Sequence, residues 1–396
     1  MLLFATYYTG AMDAIGMRQR NLSRILRLVH REGALSRAAL TEATGLNRST
    51  VAALVAELAA QQLVAEKAPD PARRAGRPSP IVAAQSRTVA IAVNPEVDAV
   101  TLAAVGLDLS IPARARVTMA QAPTPTETAA LVAEHIDRWR RAELADHRIV
   151  GVGLAVPGLV RAGDGLVRDA PHLGWRDVPL ADLIRDATGL ATAIGNDASL
   201  GVLAEHLFGA ARGTADVVYL NGGASGIGGG VIVAGNPLGG TGGYAGEFGQ
   251  NRPGIEDAAD RRVPGGVLED EVNRSLLLAA LGLSDADDAQ LTDAVAAASG
   301  DARAEIERQQ RILATALANA VNVLNPSVVV LGGFLAALCA SDLGALGEAV
   351  RAQAMPACAE TLELRLASLA EDRLLIGAGE LAFADLLADP SEFSPR

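Results

Sequence analysis

The sequence predicts an α/β protein in which a small winged helix-turn-helix precedes a larger, two-lobed α/β body. Three observations carry that expectation. The first is composition: half of the 396 residues are hydrophobic, only 3% are aromatic and 41 are glycine, so the cores must be built from Ala, Val and Leu around many tight turns. A chain of this length has room for two or three domains. The second is an uneven division of charge. The chain carries −12 in total, yet residues 17–88 hold twelve basic against five acidic side chains, while the stretch from residue 89 onward holds 22 basic and 40 acidic. A head at +7 on a body at −18 suits a head that meets an anionic polymer and a body with a different task. The third is the regular alternation of short apolar strands and amphipathic helices beyond residue 88, the pattern of layered α/β lobes.

Other classes are set aside by the same reading. No apolar run reaches the roughly 18 residues that a membrane span needs. Met1 to Gly10 is apolar and aromatic but has neither a positive n-region nor a cleavage site, so no signal peptide is expected, and Met12 or Met17 is a candidate start. Cys339 and Cys358 are too few for a disulfide framework or a four-thiolate zinc site, which fits a reducing cytoplasm.

The head is expected over residues 18–82. Leu22, Ile25, Leu26, Leu28 and Val29 form the apolar stripe of a first helix, Asn21 to Arg31, closed by Gly33. Ser36 caps a short second helix through Thr44, with Leu40 and Ala43 facing inward, and Gly45 makes the turn. Asn47 opens a third helix whose Val51, Leu54, Val55 and Leu58 recur at helical spacing. Leu63 to Lys67 reads as a strand, an arginine-rich turn follows, and Ile81-Val82 returns as a second strand, the outline of a wing. The DNA-contacting set expected from this layout is Arg37, Asn47, Arg48, Ser49, Thr50, Arg73, Arg74 and Arg77: a recognition helix presents its first turn to base edges and phosphates, and Gly76-Arg77-Pro78 is narrow enough to enter a minor groove.

The body opens with strands Val89 to Val93 and Val100 to Val105, followed by a helix from about Thr126 to His147 and a buried strand Ile149 to Val156. Helix Leu180 to Thr188 and strand Ala191 to Ile194 lead to Gly195-Asn196-Asp197-Ala198 and a helix through Phe208. Strand Val217 to Leu220 meets the glycine run Gly222 to Gly230, read as a loop before strand Val231 to Ala234. A long helix near Ala302 to Leu324 precedes a strand ending in Gly332-Gly333. The glycine run lacks dinucleotide spacing, since Val231 stands where a third glycine is needed and a strand follows in place of a helix. Glycines between strands instead let a ligand or phosphate approach the backbone closely.

With Gly195-Asn196-Asp197-Ala198, the block Gly226 to Gly230 running on to Gly243-Tyr244-Ala245-Gly246-Glu247-Phe248-Gly249, and Asn325-Pro326 before Val328 to Gly333, the chain resembles the ROK family over about residues 18–385. That family joins sugar kinases to sugar-responsive repressors. The resemblance implies a winged helix-turn-helix followed by a two-lobed actin-like (ribonuclease H-like) ROK domain. Its first lobe would span 88–196, completed by a C-terminal helix at about 375–390, and its second 197–374, with the ligand cleft and a dimerisation surface.

Two departures from the family bear on function. Its kinases begin the lobe with an Asp-x-Gly-x-Thr turn that handles phosphate, where this chain has Asn94-Pro95-Glu96-Val97-Asp98. The family also carries a His and three cysteines that bind zinc; here the His position is Gln250, and the stretch ending Gly266-Val267-Leu268-Glu269 holds no cysteine, so no zinc and no other cofactor is expected. By resemblance the sugar is met by Asn196, Asp197, Glu247, Gln250, Glu269 and His172. Asp197 is also well placed to cap the helix that follows it, a role compatible with ligand contact. His30, His135, His147 and His206 read as structural.

These readings lead to a cytoplasmic, sugar-responsive DNA-binding regulator, read as a repressor and not an enzyme. Its partners would be operator DNA, a sugar effector and a second copy of itself, as a dimer or a tetramer, with no membrane. The rivals are a sugar kinase with an appended DNA-binding head and a DNA-binding regulator controlled by a protein partner, with a vestigial sugar cleft.

Overall fold

The computed structural model describes residues 16–67, 79–224, 226–255 and 257–393. In the head, α1 (Met17–Glu32) packs on α2 (Arg37–Thr44) and α3 (Arg48–Ala60). The caps form where short polar residues precede the helices: the Ser36 hydroxyl accepts from the Ala39 amide and the Asn47 side chain from the Thr50 amide. Gly45 closes α2 in the left-handed conformation at φ 69°. One detail differs from expectation. Thr44, not Ala43, turns inward, since its hydroxyl can donate to Leu40 O while its methyl packs. A three-stranded sheet follows: β1 (Leu35–Ser36) and β2 (Val64–Lys67) both pair antiparallel with β3 (Ile81–Ala84). Arg73, Arg74 and Arg77 lie outside the described residues.

The body contains two five-stranded sheets built to the same plan. In the first, β4 (Thr88–Pro95), β5 (Ala99–Gly106) and β6 (Ala113–Thr118) run antiparallel, and β7 (Arg148–Val156) and β11 (Thr192–Asn196) extend the sheet beyond β4 in the order β11-β7-β4-β5-β6, with β7 parallel to β4. In the second, β12 (Val217–Gly223), β13 (Gly226–Val233) and β14 (Asn236–Pro237) run antiparallel. There β15 (Val328–Gly333) and β16 (Glu363–Leu366) extend the sheet beyond β12 in parallel, giving β16-β15-β12-β13-β14. Between β7 and β11 lies a small sheet of β8 (Leu159–Val160), β9 (Val167–Ala170) and β10 (Trp175–Val178).

The main helices of the first half are α4 (Pro125–Arg140) and α5 (Leu180–Thr188); then come α6 (Asp197–Phe208), α7 (Leu268–Glu271), α8 (Arg274–Leu281), α9 (Asp288–Ala297) and α10 (Gly300–Leu324). Last are α11 (Phe334–Cys339), α12 (Leu343–Gln353), α13 (Pro356–Ala359) and α14 (Arg373–Ala388). Helix α4 stops at Arg140, short of the expected His147, because the chain then turns to bring Leu144 into the core beside Trp139.

The described chain divides into two compact units. One holds the head, the residues up to Val156, Val160–Gly195 and everything from Ala378; the other holds Pro157–Leu159 and Asn196–Gly377. In the first unit the head is not a separate bead. Leu22, Ile25, Leu26, Val51 and Leu58 share one apolar core with Ala90, Leu107, Phe383, Leu386 and Leu387. A buried polar link lies in the same place: His30 Nε2 meets Glu380 Oε1 at 2.6 Å and its Nδ1 meets Leu107 O at 2.6 Å, so this histidine is structural but has two partners. Burial opposes its charge, yet Glu380 and the Leu107 carbonyl outweigh that and raise its pKa above 6.5.

The glycine run is not the loop expected from sequence. Gly226 to Gly230 lie within β13, hydrogen-bonded to β12, and the glycines are there for packing. A Cβ on Gly230 would lie 2.5 Å from Val202 Cγ1 and 2.9 Å from Ala198 O of α6; one on Gly229 would lie 2.5 Å from Gly246 O. Helix and loop have taken the approach that the sequence reading reserved for a ligand.

Candidate functional site

The face suited to nucleic acid is the first turn of α3. Arg48 is exposed, and its side chain makes no hydrogen bond or ion pair among the described residues. Its neighbours are engaged in shaping the turn: Ser49 Oγ donates to Asn47 Oδ1 at 2.7 Å and Thr50 N to the same oxygen at 2.8 Å. Asn47 therefore acts here as a cap, which leaves its amide group for other contacts. Arg37 forks onto Glu66 of β2, with Nη2 to Oε2 at 2.5 Å, and Arg24 donates to the last carbonyls of α2, Ala43 O and Thr44 O, both at 2.7 Å. The charge count treats all arginines alike, whereas the fold divides them between those that hold the motif together and those that face water.

The second unit brings Asp197, Glu247, Gln250 and Glu269 around the start of β13. Asn196 is the N-cap of α6: its Oδ1 accepts from Ser199 N at 2.9 Å while its Nδ2 donates to Gly158 O at 3.1 Å. The cap that the sequence allowed to Asp197 thus belongs to Asn196, because Oδ1 of the residue before the first turn is the one that reaches the N3 amide. Asp197 is the first helical residue, half-buried, with Oδ1 accepting from Ala198 N at 2.7 Å. Burial pushes its carboxyl up to about 6; the Ala198 bond opposes this and the charge of Glu247 adds to it. Arg373, placed by hydrogen bonds to Asn221 Oδ1 at 3.1 Å and to Ala370 O, pulls in the opposite direction.

Glu247, exposed on its loop, is also raised above the ordinary carboxylate range, first by loss of water around its head and then by the charge of Glu269. Glu269 accepts from the Ile227 amide at 3.1 Å and from Gln250 Nε2 at 2.6 Å. A Cβ on Gly226 or Gly249 would stand 2.3 or 2.7 Å from Glu269 Oε2, so those glycines make room for it. Three carboxylates, with Glu247 within electrostatic reach of both Asp197 and Glu269 and with Asp197 and Glu247 poorly hydrated, form a set of acceptors suited to the hydroxyl donors of a polyol. His172 belongs to the other unit, exposed on the short turn Pro171–Leu173.

The turn between β4 and β5 has its own chemistry. Asn94 is buried and donates to Ala155 O at 2.9 Å, while Arg116 of β6 pairs with Glu96 and, at 3.0 Å, with Asp98. The turn presents two carboxylates against one guanidinium, a net charge of −1 that makes a poor cradle for phosphate. The residues at the zinc position implied by resemblance do not fit that metal either. Gln250 offers an amide already donated to Glu269, no thiolate is near, and among the described residues no three His, Cys, Asp or Glu side chains gather as a metal set.

Three further residues, Arg373, Arg308 and Glu271, shape this unit and are absent from the sequence reading. Arg308 had a legible signal: it lies in the inward stripe of α10 with Ile306, Ile312 and Leu313, where an arginine needs a buried partner.

The geometry defines a class: a duplicated, two-lobed α/β body of actin-like plan behind a winged helix-turn-helix. The chain belongs to the ROK family, which matches residues 90–384, and its head matches the MarR family over residues 20–75. It is 23% identical to the xylose repressor of Caldicellulosiruptor bescii over 94% of this chain and 98% of that one. It is 30% identical to a glucokinase of Halalkalibacterium halodurans over 59% of this chain and 76% of that one. Among solved structures it is similar to one described as a ROK family transcriptional regulator, homolog of E. coli MLC protein, with TM-score 0.74, 22% identity, and coverage of 94% of this chain and 97% of that one.

Proposed function

We propose that this chain is a sugar-responsive DNA-binding transcriptional repressor: the head grips operator DNA, and a sugar or sugar derivative bound by the ROK body lowers or raises that grip. The observation that carries the reading is the pairing, in one chain, of a winged head with a ROK body whose phosphate turn is the Glu96–Arg116–Asp98 cluster. Likeness to a xylose repressor over nearly the full length of both chains supports it. The sugar set is Asp197, Glu247, Gln250 and Glu269, with Asn196 fixing the turn, and His172 joins it by the family resemblance alone. The DNA set is the first turn of α3, Asn47 to Thr50, with the wing arginines Arg73, Arg74 and Arg77; Arg37, expected in it, is instead engaged by Glu66.

The protein works in the cytoplasm as a homodimer or tetramer, without zinc or another cofactor. A single recognition helix reads only a few base pairs, so two heads spaced about 34 Å apart are needed for useful specificity. Likeness to glucokinases makes phosphoryl transfer the rival to exclude. The test is a gel shift on the DNA upstream of its own gene with and without D-xylose and D-glucose, beside coupled ATP turnover on the same sugars. A sugar-dependent shift with no turnover is expected; turnover at enzymatic rates would overturn the reading.

A further inference from the structure

Glu269 stands on α7, a single helical turn of four residues, too short to hold itself in place. What holds it is the buried side of α10. Arg308, 1% exposed, uses all five of its N–H groups. Nε donates to Glu305 Oε2 at 3.0 Å; Nη1 to Asp260 O at 2.8 Å and Glu271 Oε2 at 3.1 Å; Nη2 to Glu271 O at 2.6 Å and Glu305 Oε1 at 2.7 Å. The Glu271 carboxylate, fully buried, also accepts from the amides of Arg262 at 2.9 Å and Val263 at 3.0 Å. The next residue of α10, Gln309, exchanges hydrogen bonds with the Asn273 backbone, and Asn273 Nδ2 donates to Glu269 O at 3.1 Å. Glu269 O and Glu271 of the one-turn helix, together with the loop before it, are thus held by a polar network on α10.

Buried ion pairs contribute little net stability compared with apolar residues of similar volume, but a fully satisfied network specifies one arrangement of the groups it joins. We propose that the Arg308–Glu271 pair is the positioning element of the sugar site: it touches no ligand, and it sets where Glu269, and through it Gln250, stand. This rests on the reading of Glu269 and Gln250 as ligand contacts. The pair fixes Glu271 O and the 257–267 loop, α7 carries Glu269 from that anchor to the Ile227 amide, and Gln250 follows Glu269 through their 2.6 Å bond.

The experiment compares the full chain with Arg308→Met/Glu271→Gln, which removes both charges so that neither is left buried alone, and with Arg308→Lys, which keeps the cation on fewer bonds. Two readouts are taken: amide exchange at Ile227, Arg262 and Val263, which needs no ligand, and affinity for D-xylose and D-glucose by calorimetry. In the double variant, exchange at those three amides should rise roughly tenfold to a hundredfold while amides of the β12–β15 pair stay protected, and affinity for the sugar that binds the parent should fall at least about tenfold; Arg308→Lys should recover part of both. Unchanged exchange at Ile227 overturns the proposal, as does faster exchange with parental sugar affinity. If the parent binds neither sugar, the reading of the site itself fails, and the exchange result alone decides whether the pair holds Glu269. If the double variant fails to fold, Arg308→Lys supplies both measurements.

Discussion

Replacing Asp197 by Asn should make the protein more stable and less responsive at once. Asn keeps the shape and can still accept from Ala198 N through its Oδ1. What it removes is a charge that the fold tolerates poorly, since burial and Glu247 lift the carboxyl from its ordinary 3.8 to about 6. The folded state therefore holds the proton more tightly than the unfolded chain. By linkage, stability falls as pH rises between those two values and is level above them, so the full burden is present at neutral pH and none of it below 3.8. Two pH units correspond to about 3 kcal/mol; residual exposure of the side chain and loss of the Arg373 attraction reduce the expected gain to ~1–2 kcal/mol. The assay is chemical unfolding of parent and variant at about pH 7.5 and about pH 4, with operator binding and sugar response measured at neutral pH. The variant should gain stability only at the higher pH, bind DNA like the parent and respond weakly or not at all to sugar. A variant that is less stable at neutral pH, or equally stabilised at both, refutes the electrostatic argument; a parental sugar response places the effector elsewhere.

The remaining expectations follow from the same contacts. His30, with its pKa raised by Glu380 and Leu107 O, contributes stability that is complete below its unfolded value of 6.5 and is lost as pH rises through the higher folded value; unfolding of the parent at about pH 6 and about pH 8.5 should show that loss, and Glu380→Leu, which strands a buried imidazolium, should cost about 3–5 kcal/mol at the lower pH. DNA affinity should fall by several decades per decade of salt if ~5 phosphates are neutralised, and a salt-insensitive gel shift would count against the head as a DNA-binding module. Arg48→Ala should relax sequence preference, whereas Arg77→Ala should weaken chiefly sites with an A·T-rich flank; equal losses on all DNAs would mean that neither side chain reads sequence. Gly230→Ala, which forces a methyl against Val202 and Ala198 O, should destabilise by about 1–3 kcal/mol in thermal unfolding, and a neutral result would mean that α6 can shift away from β13.

Most of the fold was legible because its signals are local. Leu180–Thr188 is a helix over the residues that the periodicity marks, Ser36 and Asn47 cap the helices they precede, and Val51, Leu54, Val55 and Leu58 are all buried. Strand β6, Ala113–Thr118, alternates sheltered and exposed positions and was equally readable, but five of its six residues are small or polar, so it contains no apolar run. The strands of the small β8-β9-β10 sheet are two to four residues long, below what any period can reveal.

What sequence alone determined is the inventory: a basic head on an acidic body, the family motifs, and the carboxylates and amide that meet near β13. Tertiary structure decided which of those groups are free to act. Local pattern cannot say that Asn196, not Asp197, caps α6, that the glycines of β13 make room for a helix and a loop, or that Arg37 and Arg24 serve the head's own architecture. Nor can it say that Arg308 will find Glu271, 37 residues away in the chain, or that His30 will find Glu380, 350 residues away. The physical reason is that caps and periodicity depend on neighbours within a few residues, whereas the hydration and pairing of a charge depend on everything packed around it, and that is known only once the distant segments are in contact.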